Sequence, residues 1–301
     1  MKKKITWILA SFWVAVGLFC CVILFSLYSH RPQHRGQAKI VVSGYVPYTL
    51  VKAIAADTLP LEMILPPGAE PHSFEPTPGT LVALKQADGF IYISDELEPW
   101  AEDLKNNAGE NTRTLRLADV VAPTADPHSW MDLSNAPIFA EKIKEFLSAL
   151  YPQSSPVYTK NLAKFNKEIA SLKEDYARDL SHCRYKEVVH IGHLAFSNLI
   201  RPYGLTLTAL SGTSHEGEHS VKKLITLTRQ IKQKRLPAIF TEEILSNRLP
   251  KVVSTETGVE ILPLYSIEHI SQKDFEKQVS YVEFMRRNLD NLKRGLQCPA
   301  S

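Results

Sequence analysis

The feature that most constrains this chain is a run with few helix breakers from Ser155 to Leu180, where Leu162, Phe165, Ile169, Leu172, Tyr176 and Leu180 recur with charged residues between them. Apolar residues at three- and four-residue steps make one stripe of a single long helix. On both sides of it the sequence alternates short β-branched runs with helical periodicity. Before it come strand candidates Ala38–Gly44, Leu61–Leu65 and Gly89–Ile93, with helical spacing over Tyr48–Ala56 and Leu81–Ala87. After it come strand candidates Glu187–Ile191, Leu205–Leu210, Ala238–Phe240 and Glu260–Leu262, with helices over Phe196–Arg201, Ser220–Lys234 and Phe275–Leu296. Such alternation favours mainly parallel sheets covered by helices, with binding residues in the loops after strand ends. The expected fold is therefore α/β, two lobes joined by one long rigid helix: 38–154, the connecting helix 155–182, and 183–301. A helical connector implies a smaller hinge motion than a connection through loops.

Residues 1–37 are expected to be a membrane anchor or signal segment and a linker. Lys2, Lys3 and Lys4 precede a stretch from Ile5 to Tyr28 without a charged residue. That is long enough for an uncleaved span, which takes roughly 20 apolar residues, and the lysines would stay on the cytoplasmic side. A cleaved signal and lipidation at Cys20 or Cys21 are the competing readings, although Phe19 stands where a lipidation signal wants a small residue. In each case Arg31 onward lies outside the cytoplasm. The formal charge of +3 owes part of its excess to the opening lysines, so no electrostatic case exists for nucleic acid. In an oxidising compartment Cys183 and Cys298 invite a disulfide, with two free thiols as the alternative.

Ten histidines carry the question of chemistry. His30 and His34 lie in a polar stretch without partners, and His182 ends the long helix, where a cation suits the dipole. His72 stands in the loop PPGAEPHSFEPTP, made rigid by prolines directly after a strand, and His128 in DPHSWMD, a second Pro-His turn. His193 follows the strand Glu187–Ile191, at an end that faces the cleft. His190 lies within that strand, packed or exposed. His215 and His219 sit in the acidic loop SHEGEH, read as solvated or as a loose accessory contact.

At these residues the chain resembles the metal-specific substrate-binding proteins of zinc and manganese ABC importers. The resemblance runs from Ile40 to Leu296 through five landmarks in order: PPGAEPHSFEPTP, DPHSWMDLSNA, GHLAFSNLIRPYGL, IFTEEILSNRLPKVVSTETGVEIL and LYSIEHIS. It implies the same two-lobe fold on a long helix. It also implies metal ligands at His72, His128 and His193, with a carboxylate as the fourth. Many members carry that carboxylate as an Asp where Tyr265 stands here; some zinc-specific members use a Glu three positions on, which is Glu268. Glu242 and Glu243 are the fallback. An Asp common in the family beside the third histidine is Leu194 here, which leaves the orienting of that imidazole unassigned.

Three imidazoles and a carboxylate suit Zn(II) as the transported ligand. Mn(II), which prefers more oxygen, is the alternative. The implied function is an extracytoplasmic receptor, not an enzyme, delivering the metal to an ABC permease with its cytoplasmic ATPase. The expected form is a monomer tethered by its N-terminal segment. An exported zinc hydrolase is the rival from another class, but the sequence has neither an HExxH helix nor a Gly-x-Ser-x-Gly elbow: the His-Glu-x-x-His string from His215 to His219 falls in the acidic loop. A surface adhesin or scaffold with a structural metal is the third.

Overall fold

The computed structural model describes residues 39–123, 126–212, 221–242 and 248–299. The N-terminal segment with Cys20, Cys21, His30 and His34, as well as His215, His219 and Glu243, lies outside them. The described residues belong to one compact unit that begins at Lys39. Among them no helix is long and apolar enough to cross a membrane.

The first lobe is built on β1 (Ile40–Val42), α1 (Tyr45–Ala55), β2 (Leu61–Met63), α2 (Pro78–Lys85), β3 (Gly89–Tyr92), α3 (Pro99–Asn106) and β4 (Arg113–Arg116). Its strands pair in parallel in the order β2-β1-β3-β4. The central strands β1 and β3 are buried at every residue, as expected of a parallel sheet with helices on both faces. Thr77 caps α2, its hydroxyl accepting from the Thr80 amide, with Pro78 in the first turn. A helix α4 (Ala136–Leu150) then leads into α5 (Ser155–Ser181).

The second lobe repeats the scheme with β5 (Glu187–His190), α6 (Ser197–Ile200), β6 (Thr206–Ala209), α7 (Val221–Lys234), β7 (Ala238–Glu242), α8 (Arg248–Thr257) and β8 (Glu260–Leu264). Its parallel order is β6-β5-β7-β8. The chain closes on α9 (Gln272–Glu276) and α10 (Tyr281–Gly295). The expected α/β fold on a long helix is what the chain adopts.

Helix α5 has 27 residues, which at 1.5 Å per residue is about 40 Å of rod. All six residues of the apolar stripe are buried. It packs against α1 and α4 of the first lobe and α10 of the second. Hydrogen bonds help pin it to both lobes: Asn161 donates to the Ile54 carbonyl at 2.9 Å, and the Tyr176 hydroxyl to the Met285 carbonyl at 2.6 Å. His182 stands at its C-cap. Just beyond, a disulfide joins Cys183 to Cys298 and fastens the C-terminal tail to the end of the connecting helix.

The structure differs from expectation at the closing helix. Instead of one helix over Phe275–Leu296 there are two, α9 and α10, with Gln278 left-handed at φ 49° between them. Ser280 restarts the helix, its hydroxyl accepting from the Glu283 amide at 3.2 Å. A serine followed three residues later by glutamate is a capping signal that outweighs continuous helical periodicity. The break turns Tyr281 inward, where its hydroxyl donates to the Trp130 carbonyl of the first lobe at 2.6 Å.

Candidate metal centre between the lobes

Parallel sheets gather their strand-end loops on one edge, and here both sheets aim that edge at the same cleft. His72 follows β2, His128 follows β4, His193 follows β5, Glu242 ends β7 and Glu268 follows β8. The four residues singled out from the sequence, His72, His128, His193 and Glu268, meet at this point. Nε2 of His128 and Nε2 of His193 are 3.1 Å apart. Glu268 Oε1 is 2.8 Å from His193 Nε2, and its Oε2 is 3.4 Å from His128 Nε2. One donor atom each from His72, His128 and Glu268 lie within 4.8 Å of one another. The His72 ring centroid is 6.2 Å from that of His128 and 6.5 Å from that of His193, and its Nε2 is buried without a hydrogen-bond partner. Donors about 2.0–2.1 Å from a tetrahedral zinc stand about 3.3 Å apart, the scale of the three closest separations.

Each buried imidazole is held from behind. His128 Nδ1 is 2.6 Å from Asp126 Oδ1, which also accepts from the His128 amide at 3.0 Å. His193 Nδ1 is 2.7 Å from Glu242 Oε1. A carboxylate accepts only, so each Nδ1 carries the hydrogen and each Nε2 lone pair is left for the centre. The orienting role that Leu194 left unassigned is thus filled by Glu242, which arrives from β7. This puts Glu242 behind His193 rather than in front with Glu268. Asp126 was legible in the Asp-Pro-His turn, whereas nothing local to His193 pointed 49 residues on to Glu242.

Two further residues support this wall. His190 is fully buried, and its Nδ1 is 3.0 Å from the His193 carbonyl, so it is packed and fixes the turn. Gly192 is required by space: a Cβ there would stand 2.5 Å from His190 Cε1 and 3.1 Å from Glu242 Oε1. The His128 loop is tied across the cleft by three bonds. Asn198 donates to the His128 carbonyl at 3.1 Å, Trp130 Nε1 to the Ser266 carbonyl at 2.7 Å, and Tyr281 to the Trp130 carbonyl.

The electrostatics follow from burial and mutual charge. Burial opposes a charge on His193, but Glu268 and Glu242 override it and push the ring up to about 10. Burial likewise opposes a charge on His128, and Glu268 with Asp126 raises it. Burial would raise Glu268, yet His193 and His128 hold it well below the usual carboxylate range. His72 is lowered, chiefly by burial. The centre is therefore a cluster of lone pairs around an anionic carboxylate, chemistry that takes either protons or one divalent cation.

Comparison with known proteins agrees with this reading of the fold. Residues 40–295 match the family model described as "Zinc-uptake complex component A periplasmic". The chain is 29% identical over 97% of its length to the zinc-binding lipoprotein AdcA of Streptococcus pneumoniae strain R6, spanning 61% of that longer relative. It is 26% identical to the high-affinity zinc uptake system protein ZnuA of Bacillus subtilis strain 168, over 85% of this chain and 87% of the relative. Among solved structures, the Zn(II)-bound ZnuA-like domain of Streptococcus pneumoniae AdcA superimposes with a TM-score of 0.76 at 31% identity. That match covers 87% of this chain and 99% of the domain.

Proposed function

The chain belongs to the ZnuA family of periplasmic zinc-uptake components, and from that premise we propose that it is an extracytoplasmic receptor that captures Zn(II) for an ABC importer. The ligands in this reading are His72 and His128 from the first lobe and His193 and Glu268 from the second. The observation that carries it is the convergence of two Nε2 atoms and both Glu268 oxygens, with separations of 2.8 to 3.4 Å, in front of imidazoles backed by carboxylates. Three nitrogens and one oxygen suit zinc better than manganese, which favours more oxygen donors.

The same donor count separates a receptor from a hydrolase. A catalytic zinc keeps a position open for water on three protein ligands, whereas here a fourth protein donor closes the set. Ligands drawn from both lobes make capture depend on the lobes meeting, and release on their parting. The cargo would pass to a membrane permease powered by a cytoplasmic ATPase. The receptor acts as a monomer held at the outer face of the membrane by its N-terminal segment, with lobes divided at the ends of α5.

Metal titration with a competing chelator tests this. The expected result is one zinc per chain, bound more tightly than manganese and removed by chelator with the fold intact. Preference for manganese, or a fold that is lost with the metal, overturns it.

A further inference from the structure

His269, which directly follows Glu268, reaches across the cleft. Its Nδ1–H donates to the Ala69 carbonyl at 3.1 Å, and its Nε2 is 3.3 Å from Glu70 Oε2. Both partners belong to the proline-rich loop of the first lobe that carries His72. The other oxygen of the same Glu70 carboxylate accepts from the His72 amide at 3.2 Å. A continuous path thus runs from Glu268 through the peptide bond to His269, across to Glu70, and on to the backbone of His72.

The two walls of the centre are fixed unequally. His128 and His193 are each 0% exposed and braced by a buried or half-buried carboxylate, and the His128 loop has three bonds to the opposite lobe. His72 is only partly buried. On its own lobe its loop is held by Trp100, whose Nε1 donates to the Pro71 carbonyl at 2.8 Å and whose ring meets Phe74 edge-on at 5.2 Å. On the opposite lobe, the contacts described for this loop are the His269 hydrogen bond to the Ala69 carbonyl and the approach of its Nε2 to the Glu70 carboxylate.

We infer that His269 is a positioning residue that latches the His72 loop over the bound cation, so that seating Glu268 on the metal also closes His72 onto it. The inference rests on the receptor reading above. It assigns the latch to residence of the zinc rather than to its arrival. Loss of His269 leaves the three buried donors in place and frees the fourth to swing away.

The test is the rate of zinc release into excess chelator, measured by stopped flow on the full chain. His269→Ala is expected to speed release by about tenfold, the lower end of what loss of a supporting partner costs a metal site. In a His72→Ala background the same change is expected to do nothing, because the residue it acts through is gone. Glu70→Ala provides a second route through the same linkage on a half-buried side chain, and is expected to speed release without adding to His269→Ala. Unchanged release in His269→Ala and Glu70→Ala overturns the latch. Equal acceleration with and without His72 also overturns it, since His269 would then act on the fold or on Glu268. Wild-type chain that binds no zinc overturns the receptor reading itself, a result distinct from wild-type binding that the variants leave unmoved.

Discussion

Glu242 Oε1 stands 2.7 Å behind Nδ1 of His193, joining the end of β7 to the loop after β5 and fixing which nitrogen of the ring faces the centre. Glu242→Gln keeps the size but replaces an ionic acceptor with a neutral amide that can rotate its NH2 toward the ring. Zinc affinity is expected to fall by about 10- to 100-fold with one site per chain retained. Gly192→Ala is expected to act in the same direction, because its methyl would press on the same carboxylate. Competitive titration against a chromophoric chelator reads both. Unaltered affinity in Glu242→Gln would remove Glu242 from the site's support.

Zinc and protons compete for the same lone pairs. His193 is pushed up to about 10 by Glu268 and Glu242 against its burial, so at neutral pH the metal-free ring holds a proton that zinc must displace. At least one proton is expected to leave per zinc bound at pH 7.5, and affinity should rise as pH rises through the neutral range. Calorimetry in buffers of different ionisation enthalpy counts the protons, and a count of zero contradicts the electrostatics described here.

Glu98 is a fully buried carboxyl at the start of α3, its Oε2 accepting from the Ile93 amide at 2.7 Å. Burial raises it from 4.5 to about 7. The folded state therefore holds this proton more tightly than the unfolded chain. Its stabilising effect is complete below pH 4.5 and is lost as pH rises through about 7, a change of about 3 kcal/mol. In metal-free protein Glu98→Gln should flatten this part of the pH profile. Urea midpoints at pH 5 and pH 8 measure it, and identical pH dependence in both chains would count against the raised value.

The Cys183–Cys298 bond spans 115 residues. Closing a loop of that length restricts the unfolded chain by about 4–5 kcal/mol in the entropic account. Reduction is expected to lower the thermal midpoint of the metal-free protein by about 10 °C without changing how many zinc ions it binds. An unmoved midpoint would show that the bridge adds nothing to stability.

Legibility in the sequence followed the range of the interactions. The stripe Leu162 to Leu180 marked α5 because periodicity is local, and the β-branched runs marked the buried parallel strands for the same reason. Polar β4, with Leu115 as its sole buried residue, offered no such pattern. The split between α9 and α10 was written in Ser280 and Glu283 but masked by the apolar rhythm around them. The residues that meet in the cleft were found as strand-end histidines and through the family resemblance. Their supports divided by distance: Asp126 lies two residues from His128, whereas Glu242 and His269 act on residues 49 and 200 positions away, through contacts that only the tertiary fold creates.

The central claim is that three imidazoles and one carboxylate, drawn from both lobes, hold the zinc. X-ray absorption at the zinc K-edge on the loaded full chain tests it most directly. The account predicts a four-coordinate shell with three imidazole nitrogens and one oxygen at about 2.0–2.1 Å, falling to two imidazoles in His72→Ala. A wild-type shell with two imidazoles and a majority of oxygen donors would contradict it.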